Sequence, residues 1–90
     1  MKAAREECLI DVTLAALMEA ARAADMTITG DGRVSEADAA VLLGIEPDTL
    51  AKKRSEGKAP PSYRLSVGAG RISYRLRDLA AWIEAQRENF

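Results

Sequence analysis

Residues 30–50 read GDGRVSEADAAVLLGIEPDTL, and they contain the signals for a short helix and for the turn that follows it. The glycines at its start indicate a turn, and Ser35 follows as a helix N-cap whose hydroxyl can accept from the backbone N–H of Asp38. The acidic side chains of Glu36 and Asp38 suit the positive end of the helix dipole. Gly44 favours the left-handed conformation found just beyond a helix C-terminus. The stretch therefore predicts a short helix that starts after Ser35 and stops at Gly44.

The same stretch partly matches a calcium-binding loop, which needs oxygen ligands at positions 1, 3, 5, 9 and 12 and glycine at position 6. With Gly32 at position 6, Asp31 fits position 5. Positions 1 and 3 are then the neutral Thr27 and Thr29, and Asp38 is too short for position 12. Only one or two carboxylates would face the ion, so we expect no metal site.

A second short helix follows the first at once. Pro47 suits the first turn of a helix, and the helical pattern ends near Gly57. Two short helices joined by the tight turn at residues 44–46 have the layout of a helix-turn-helix. Its small core is predicted to contain three apolar side chains, those of Leu43, Ile45 and Leu50.

Residues 4–24 carry an apolar pattern of helical period with neither glycine nor proline, which predicts one long N-terminal helix. The apolar positions form two rows: Leu9, Val12, Ala16 and Ala20 in one, and Ile10, Leu14, Leu17 and Ala21 in the other. This wide apolar surface supports two interpretations equally. It could pack against its own domain, or part of it could pair with a second subunit to form a homodimer.

The C-terminal third of the chain alternates and then becomes helical. Residues 63–67 and 71–75 alternate around Gly68-Ala69-Gly70, which predicts a β-hairpin. Its apolar side chains are expected to be Leu65, Val67, Ile72 and Tyr74. A closing helix is predicted over residues 77–87, with Leu79 and Ile83 in the core and Trp82 packed on it.

Composition argues against several functional classes. The chain has no histidine, and no nucleophile, acid–base pair or metal-ligand set is visible, so we expect neither an enzyme nor a cofactor or small-molecule substrate. Cys8, the single cysteine, lies in an apolar helical pattern and is predicted to be a small core residue. Lacking a long apolar run and a signal-peptide pattern, the chain is expected in a reducing cytoplasm and not in a membrane.

The charged residues are unevenly distributed. Residues 1–34 contain four basic and six acidic side chains, for a net charge of −2. Residues 52–77 contain eight basic side chains and one acidic side chain, Glu56, for a net charge of +7. Such a local excess of positive charge on a chain whose total net charge is −1 indicates a surface that faces a polyanion.

Four segments, in order and at matching spacing, resemble the excisionase and AlpA-type, MerR-like winged helix-turn-helix family. They are VSEADAAVLLGI at 34–45, Thr49-Leu50, EGKAPP at 56–61 and GRISYRLRDLAAWI at 70–83. The chain departs from that family by carrying Lys53 where a tryptophan is usual, and by the long helix that comes first. The resemblance implies a winged helix-turn-helix over residues 34–90, so the expected fold is mainly α with a small β-hairpin. The N-terminal helix and turn over residues 1–33 precede this domain, and we expect them to serve as a packing or dimerisation element.

Members of this family are small DNA-binding proteins of phages and mobile elements, so the resemblance implies double-stranded DNA as the partner. The second short helix would enter the major groove and the hairpin would contact the backbone or the minor groove. Together with the basic cluster, this gives the candidate DNA-binding residues Thr49, Lys52, Lys53, Arg54, Lys58, Arg64, Arg71 and Arg75.

Three roles remain open. The first is an excisionase-like architectural factor or a transcriptional regulator. The second is a winged-helix protein-interaction module that does not bind DNA, and the third is the DNA-recognition part of a small terminase subunit.

Overall fold

Four helices and three short strands make up the part of the chain described by a computed structural model, residues 2–65 and 71–88, with side chains from residue 5 onwards. The elements are, in order, α1 (Lys2–Ala23), β1 (Arg33–Ser35), α2 (Glu36–Leu43), α3 (Pro47–Ser55), β2 (Tyr63–Arg64), β3 (Ile72–Arg75) and α4 (Leu76–Ala85). The predicted glycine turn at residues 68–70 and the predicted apolar side chain of Val67 lie outside the described residues.

The ends of α2 and the start of α3 confirm the local signals in the sequence. The Ser35 hydroxyl accepts a hydrogen bond from the Asp38 backbone N–H at 3.2 Å. Gly44 has a φ of 76°, a left-handed conformation that suits glycine because it lacks a Cβ atom. Pro47 is the first residue of α3, where its missing N–H leaves no helical hydrogen bond unmade. The turn between the two helices is therefore only three residues long.

The sheet is larger than the predicted hairpin. Strand β1 was not predicted, and it pairs antiparallel with β3, giving the strand order β1-β3-β2. Val34 lies opposite Tyr74, and both side chains are buried. The prediction of a helical protein with one small hairpin is thus confirmed for the helices and corrected for the sheet. Strand β1 was missed because a strand of three residues is too short to show an alternating pattern.

One core cluster joins the helices to the sheet. Its buried members are Leu17, Val34, Ala39, Ala40, Leu50, Tyr74, Leu76, Leu79 and Ala80. Leu43, Ile45 and Ile83, all predicted as core, are partly buried and pack against this cluster. Leu17 lies in the predicted N-terminal segment and the other members lie after residue 33, so side chains from both predicted segments contribute to the same core.

Helix α1 packs against α4 through one of its two apolar rows. Leu17 and Ala21 of that row are buried. At the same contact the Thr13 hydroxyl donates to Glu84 Oε2 at 2.7 Å, and Arg77 pairs with Asp11 at 2.9 Å. None of the described helices is long and apolar enough to cross a membrane.

The other row of α1 faces away from the core. Val12 is 62% exposed, and Ala16 and Ala20 are exposed as well. Cys8 is also exposed, so the prediction that it is a core residue was wrong. The apolar pattern of the helix does not show which of its faces is buried. The contact between α1 and α4 determines that face, and Cys8 does not lie on it.

Candidate nucleic-acid interface

Helix α3 presents a polar, positively charged face because its apolar side is fixed by Leu50. Leu50 is completely buried between the helices and the sheet. Thr49, Lys52 and Lys53 stand at i, i+3 and i+4 and therefore share a face of the helix. Thr49 and Lys52 are exposed, while Lys53 is half-buried. A long side chain whose stem is half-buried keeps its ammonium group in solvent.

Arg54 lies on the inner side of α3 and contacts α2. Its Nε donates to Glu36 Oε2 at 2.8 Å and its Nη2 donates to Glu36 Oε1 at 3.3 Å, which makes a bidentate ion pair. Both side chains are about three-quarters shielded from solvent, with exposed fractions of 27% and 20%. The Arg54 guanidinium holds the pKa of the Glu36 carboxyl below its usual range. The pair therefore fixes how α3 sits on α2.

Tyr74 completes this arrangement from the sheet. Its hydroxyl donates to Glu36 Oε2 at 2.9 Å, and its ring is fully buried. Burial and the neighbouring Glu36 carboxylate raise the pKa of Tyr74 to about 12, because both disfavour a phenolate. Glu36 thus receives hydrogen bonds from α3 and β3 together.

The outer face of the sheet carries a second cluster of charge. The register places Arg33 of β1 opposite Arg75 of β3, on the face away from Val34 and Tyr74. Both guanidinium carbons lie over the Tyr63 ring, 5.4 Å and 5.2 Å from its centre. Asp31 contacts both arginines, with Arg33 Nε 2.9 Å and Arg75 Nη2 3.4 Å from its carboxylate.

Asp31 stays ionised in this cluster. Its carboxylate accepts hydrogen bonds from the Thr29 hydroxyl and from Arg33, and these lower the pKa of Asp31 well below its usual range. The Arg33 Nη1 also donates to the Ser73 hydroxyl at 3.1 Å. Arg33 and Tyr63 were not predicted as site residues. The register of β1 could have identified Arg33, but β1 itself escaped prediction.

The remaining predicted residues lie around these two clusters. Lys58 is exposed just after α3, and its backbone N–H donates to the Lys53 carbonyl at 2.8 Å. Arg64 pairs in register with Ile72, and its positive charge contributes to the lowered pKa of Glu36. Arg71 is exposed and lines an open groove of about 430 Å³.

The structure therefore divides the eight candidates into groups. Thr49, Lys52 and the half-buried Lys53 share one face of α3, and Lys58 follows them. Arg75 belongs to β3, where it lies with Arg33, and Arg71 comes directly before that strand. Arg54 forms an ion pair with Glu36, and the positive charge of Arg64 also acts on the Glu36 carboxylate.

The described residues contain no group of three or more histidine, cysteine, aspartate or glutamate side chains that could hold a metal ion. No protein-family model matches the chain, and no curated protein or solved structure matches it significantly.

Proposed function

We propose that this protein binds double-stranded DNA as a winged helix-turn-helix, with α3 as the recognition helix. The observation that carries the proposal is the face of α3 that Thr49, Lys52 and Lys53 share, on which Thr49 and Lys52 are exposed and Lys53 is half-buried. The helix is anchored by Leu50 and by the Arg54–Glu36 pair. A recognition helix must be held rigidly to place side chains against base edges, and this anchoring meets that requirement.

The order of the elements supports the same proposal. A helix, a short strand, two helices joined by a three-residue turn, and two antiparallel strands succeed one another, and a further helix closes the chain. The four segments that resemble the excisionase and MerR-like family fall on α2, the start of α3, the segment after α3, and β3 with α4. The resemblance and the element order thus agree on which helix would enter the major groove.

In this proposal α3 reads the DNA and the surrounding cations hold its backbone. Thr49, Lys52 and Lys53 contact base edges or nearby phosphates, and Lys58 and Arg71 contact phosphates. Arg54 acts as a positioning residue that sets the angle of α3. The activity is binding without catalysis, either bending DNA for a separate recombinase or controlling transcription.

Salt-dependent binding tests the proposal. Fluorescence anisotropy of a mixed-sequence duplex is measured at several salt concentrations for the wild type and for Lys52→Gln/Lys53→Gln. We expect log affinity to fall with log salt with a slope of about −4 to −6, and the variant to flatten that slope by up to about two units, because each lost phosphate contact removes about 0.9.

Two controls sharpen this experiment. Arg5→Gln/Arg22→Gln removes the same charge from exposed positions on α1 and should leave the slope almost unchanged. Arg54→Gln should weaken binding while keeping the wild-type slope, because its guanidinium already faces Glu36. Absence of binding at low salt, or equal flattening by the α1 control, would refute the proposal.

The exposed row of α1 supports a second candidate function, a protein-interaction module without DNA binding. Val12 is 62% exposed at the centre of that row. Duplex binding with the expected slope would argue against this alternative.

A further inference from the structure

The outer face of the sheet holds two arginines where their charges oppose each other. Arg33 and Arg75 are directly cross-strand, and like charges at such positions destabilise a sheet unless an anion compensates them. Among the described residues, Asp31 alone makes an ion pair with either arginine. Two guanidinium groups therefore share one carboxylate, and the cluster keeps a net positive charge.

The cluster also contains hydrogen-bond donors that contacts among the described residues do not satisfy. Arg75 Nε is buried and has no acceptor within the described part of the chain. Its contact with Asp31 is the long one, at 3.4 Å, whereas both Asp31 oxygens lie 2.9 Å from Arg33 Nε. The Ser73 hydroxyl oxygen accepts from Arg33 Nη1, so its own hydrogen can be donated elsewhere.

An open groove of about 430 Å³ adjoins Arg33 and Ser73. Its lining also includes Arg71, Ser35 and the acidic Asp38, whereas Arg75 lies outside it. A tetrahedral oxyanion is the ligand that arginine forks and hydroxyl groups bind together, because it offers several acceptor oxygens at once. Solvent can reach the groove, so the oxyanion could belong to a larger molecule.

We propose that Arg33, Ser73 and Arg75 bind one phosphate group of the DNA backbone, and that Asp31 occupies these arginines in the free protein and yields to the phosphate. This inference rests on the proposed DNA binding and extends the interface beyond α3. Asp31 compensates the like-charged pair without DNA, and a phosphate offers further acceptors to the two arginine side chains, which are 26% and 40% exposed.

The position of the cluster relative to α3 suits one duplex. Arg54 of α3 contacts Glu36, and Arg33 precedes Glu36 by three residues, which an extended strand spans in about 10 Å. The major groove of B-DNA is about 12 Å wide. The sheet cluster thus lies along the chain next to the element that holds α3, at a distance comparable to the width of that groove.

Two substitutions with opposite expected effects test the inference. Arg33→Gln should flatten the salt slope of duplex binding by about 0.9 and weaken affinity about eightfold at 0.1 M salt, because one phosphate contact is lost. Asp31→Asn should tighten binding by about threefold or more, since it removes the competing negative charge. In the double variant the gain from Asp31→Asn should disappear. Arg77→Gln, whose arginine pairs with Asp11 on α1, is the matched control and should have no effect.

A measurement on the wild-type protein gives a result that does not depend on how well the variants fold. The ¹H–¹⁵N signals of the arginine Nε–H groups are followed while duplex, or inorganic phosphate alone, is added. We expect the Arg75 signal to shift with duplex. If inorganic phosphate alone shifts the Arg75 signal, the site binds the phosphate group itself. If only duplex shifts the signal, the site needs the DNA backbone.

The outcomes separate this inference from the proposed function. Three results together would overturn the sheet-face site while leaving α3 as the helix that contacts DNA. They are an unchanged salt slope of duplex binding in Arg33→Gln, no gain in affinity in Asp31→Asn, and an Arg75 signal that does not shift with duplex. Failure of the wild type to bind any duplex would overturn both.

Discussion

At the residue scale, Glu36 matters most because three elements meet at its carboxylate. Arg54 reaches it from α3, Tyr74 reaches it from β3, and Glu36 itself begins α2. A carboxylate shielded this far from water is stable only with such partners. Glu36 was placed correctly in sequence as a helix-start residue, but its partners are 18 and 38 positions away and no local pattern indicates them.

Tyr74→Phe tests this network. We expect it to lower the free energy of unfolding by about 1 kcal/mol at pH 7, because one hydrogen bond is lost while the ring remains. The pKa of Tyr74 is raised in the fold from 10.0 to about 12, so its stabilising contribution is complete below pH 10 and is lost as the pH rises towards 12. Urea unfolding from pH 7 to pH 12 should show the wild-type advantage shrinking over that range.

Tyr63→Phe is the matched control for this measurement, because its hydroxyl takes no part in the contacts of Glu36. The assigned role of the Tyr74 hydroxyl would be contradicted if the difference in free energy of unfolding between wild type and Tyr74→Phe stayed constant from pH 7 to pH 12.

At the scale of elements, α1 shows how one helix can carry two different surfaces. The pattern of residues 4–24 predicted the helix correctly and left open which apolar row would be buried. The contact with α4 buries Leu17 and Ala21 and leaves Val12 in solvent. Packing within the chain therefore accounts for one row, and pairing with a second copy through the other row stays a proposal.

A pair of charge insertions separates the two rows. Val12→Glu should change the free energy of unfolding by no more than about 0.5 kcal/mol, because its side chain is already exposed. Leu14→Glu, in the partly buried row, should destabilise the protein by about 2 kcal/mol or more, because the carboxylate would enter the core. Urea unfolding measures both.

Sedimentation of the same variants over a range of concentrations addresses the homodimer. A wild-type dimer that dissociates in Val12→Glu would place the exposed row at the subunit contact. Marked destabilisation of monomeric Val12→Glu would contradict the exposure of this row.

At the scale of the whole molecule, side chains from both ends of the chain share one core. Leu17 of α1, Leu50 of α3 and Leu79 of α4 belong to the same cluster. A cluster that links distant segments makes their unfolding cooperative, because no part keeps its buried surface alone. The N-terminal helix thus shares a core with Leu50 of α3, as expected from the first of its two interpretations, packing against its own domain.

Leu17→Ala tests this shared core. We expect it to lower the free energy of unfolding by about 2–4 kcal/mol, since it leaves a cavity where α1 meets the cluster. Trp82 fluorescence, which reports on α4, and far-UV circular dichroism should give coincident unfolding curves in the wild type and in the variant. Val12→Ala is the matched control and should have little effect. An early loss of helical signal at constant Trp82 fluorescence would show that α1 unfolds independently.

Features that depend on near neighbours along the chain could be predicted from the sequence alone. The structure confirms the Ser35 cap, the Gly44 stop, the Pro47 start and the helices α1 and α4, because each involves residues within a few positions of one another. The sequence also located an excess of positive charge at residues 52–77, and the expectation that this segment faces a polyanion stays a prediction.

Only the tertiary structure decided which residues those elements bring together. It paired Arg33 with Arg75, held Arg54 against Glu36, and buried one row of α1 rather than the other. Each of these depends on side chains from separate elements meeting around the shared core. Their energies come from contacts across tens of residues, which no local pattern of charge or hydrophobicity specifies.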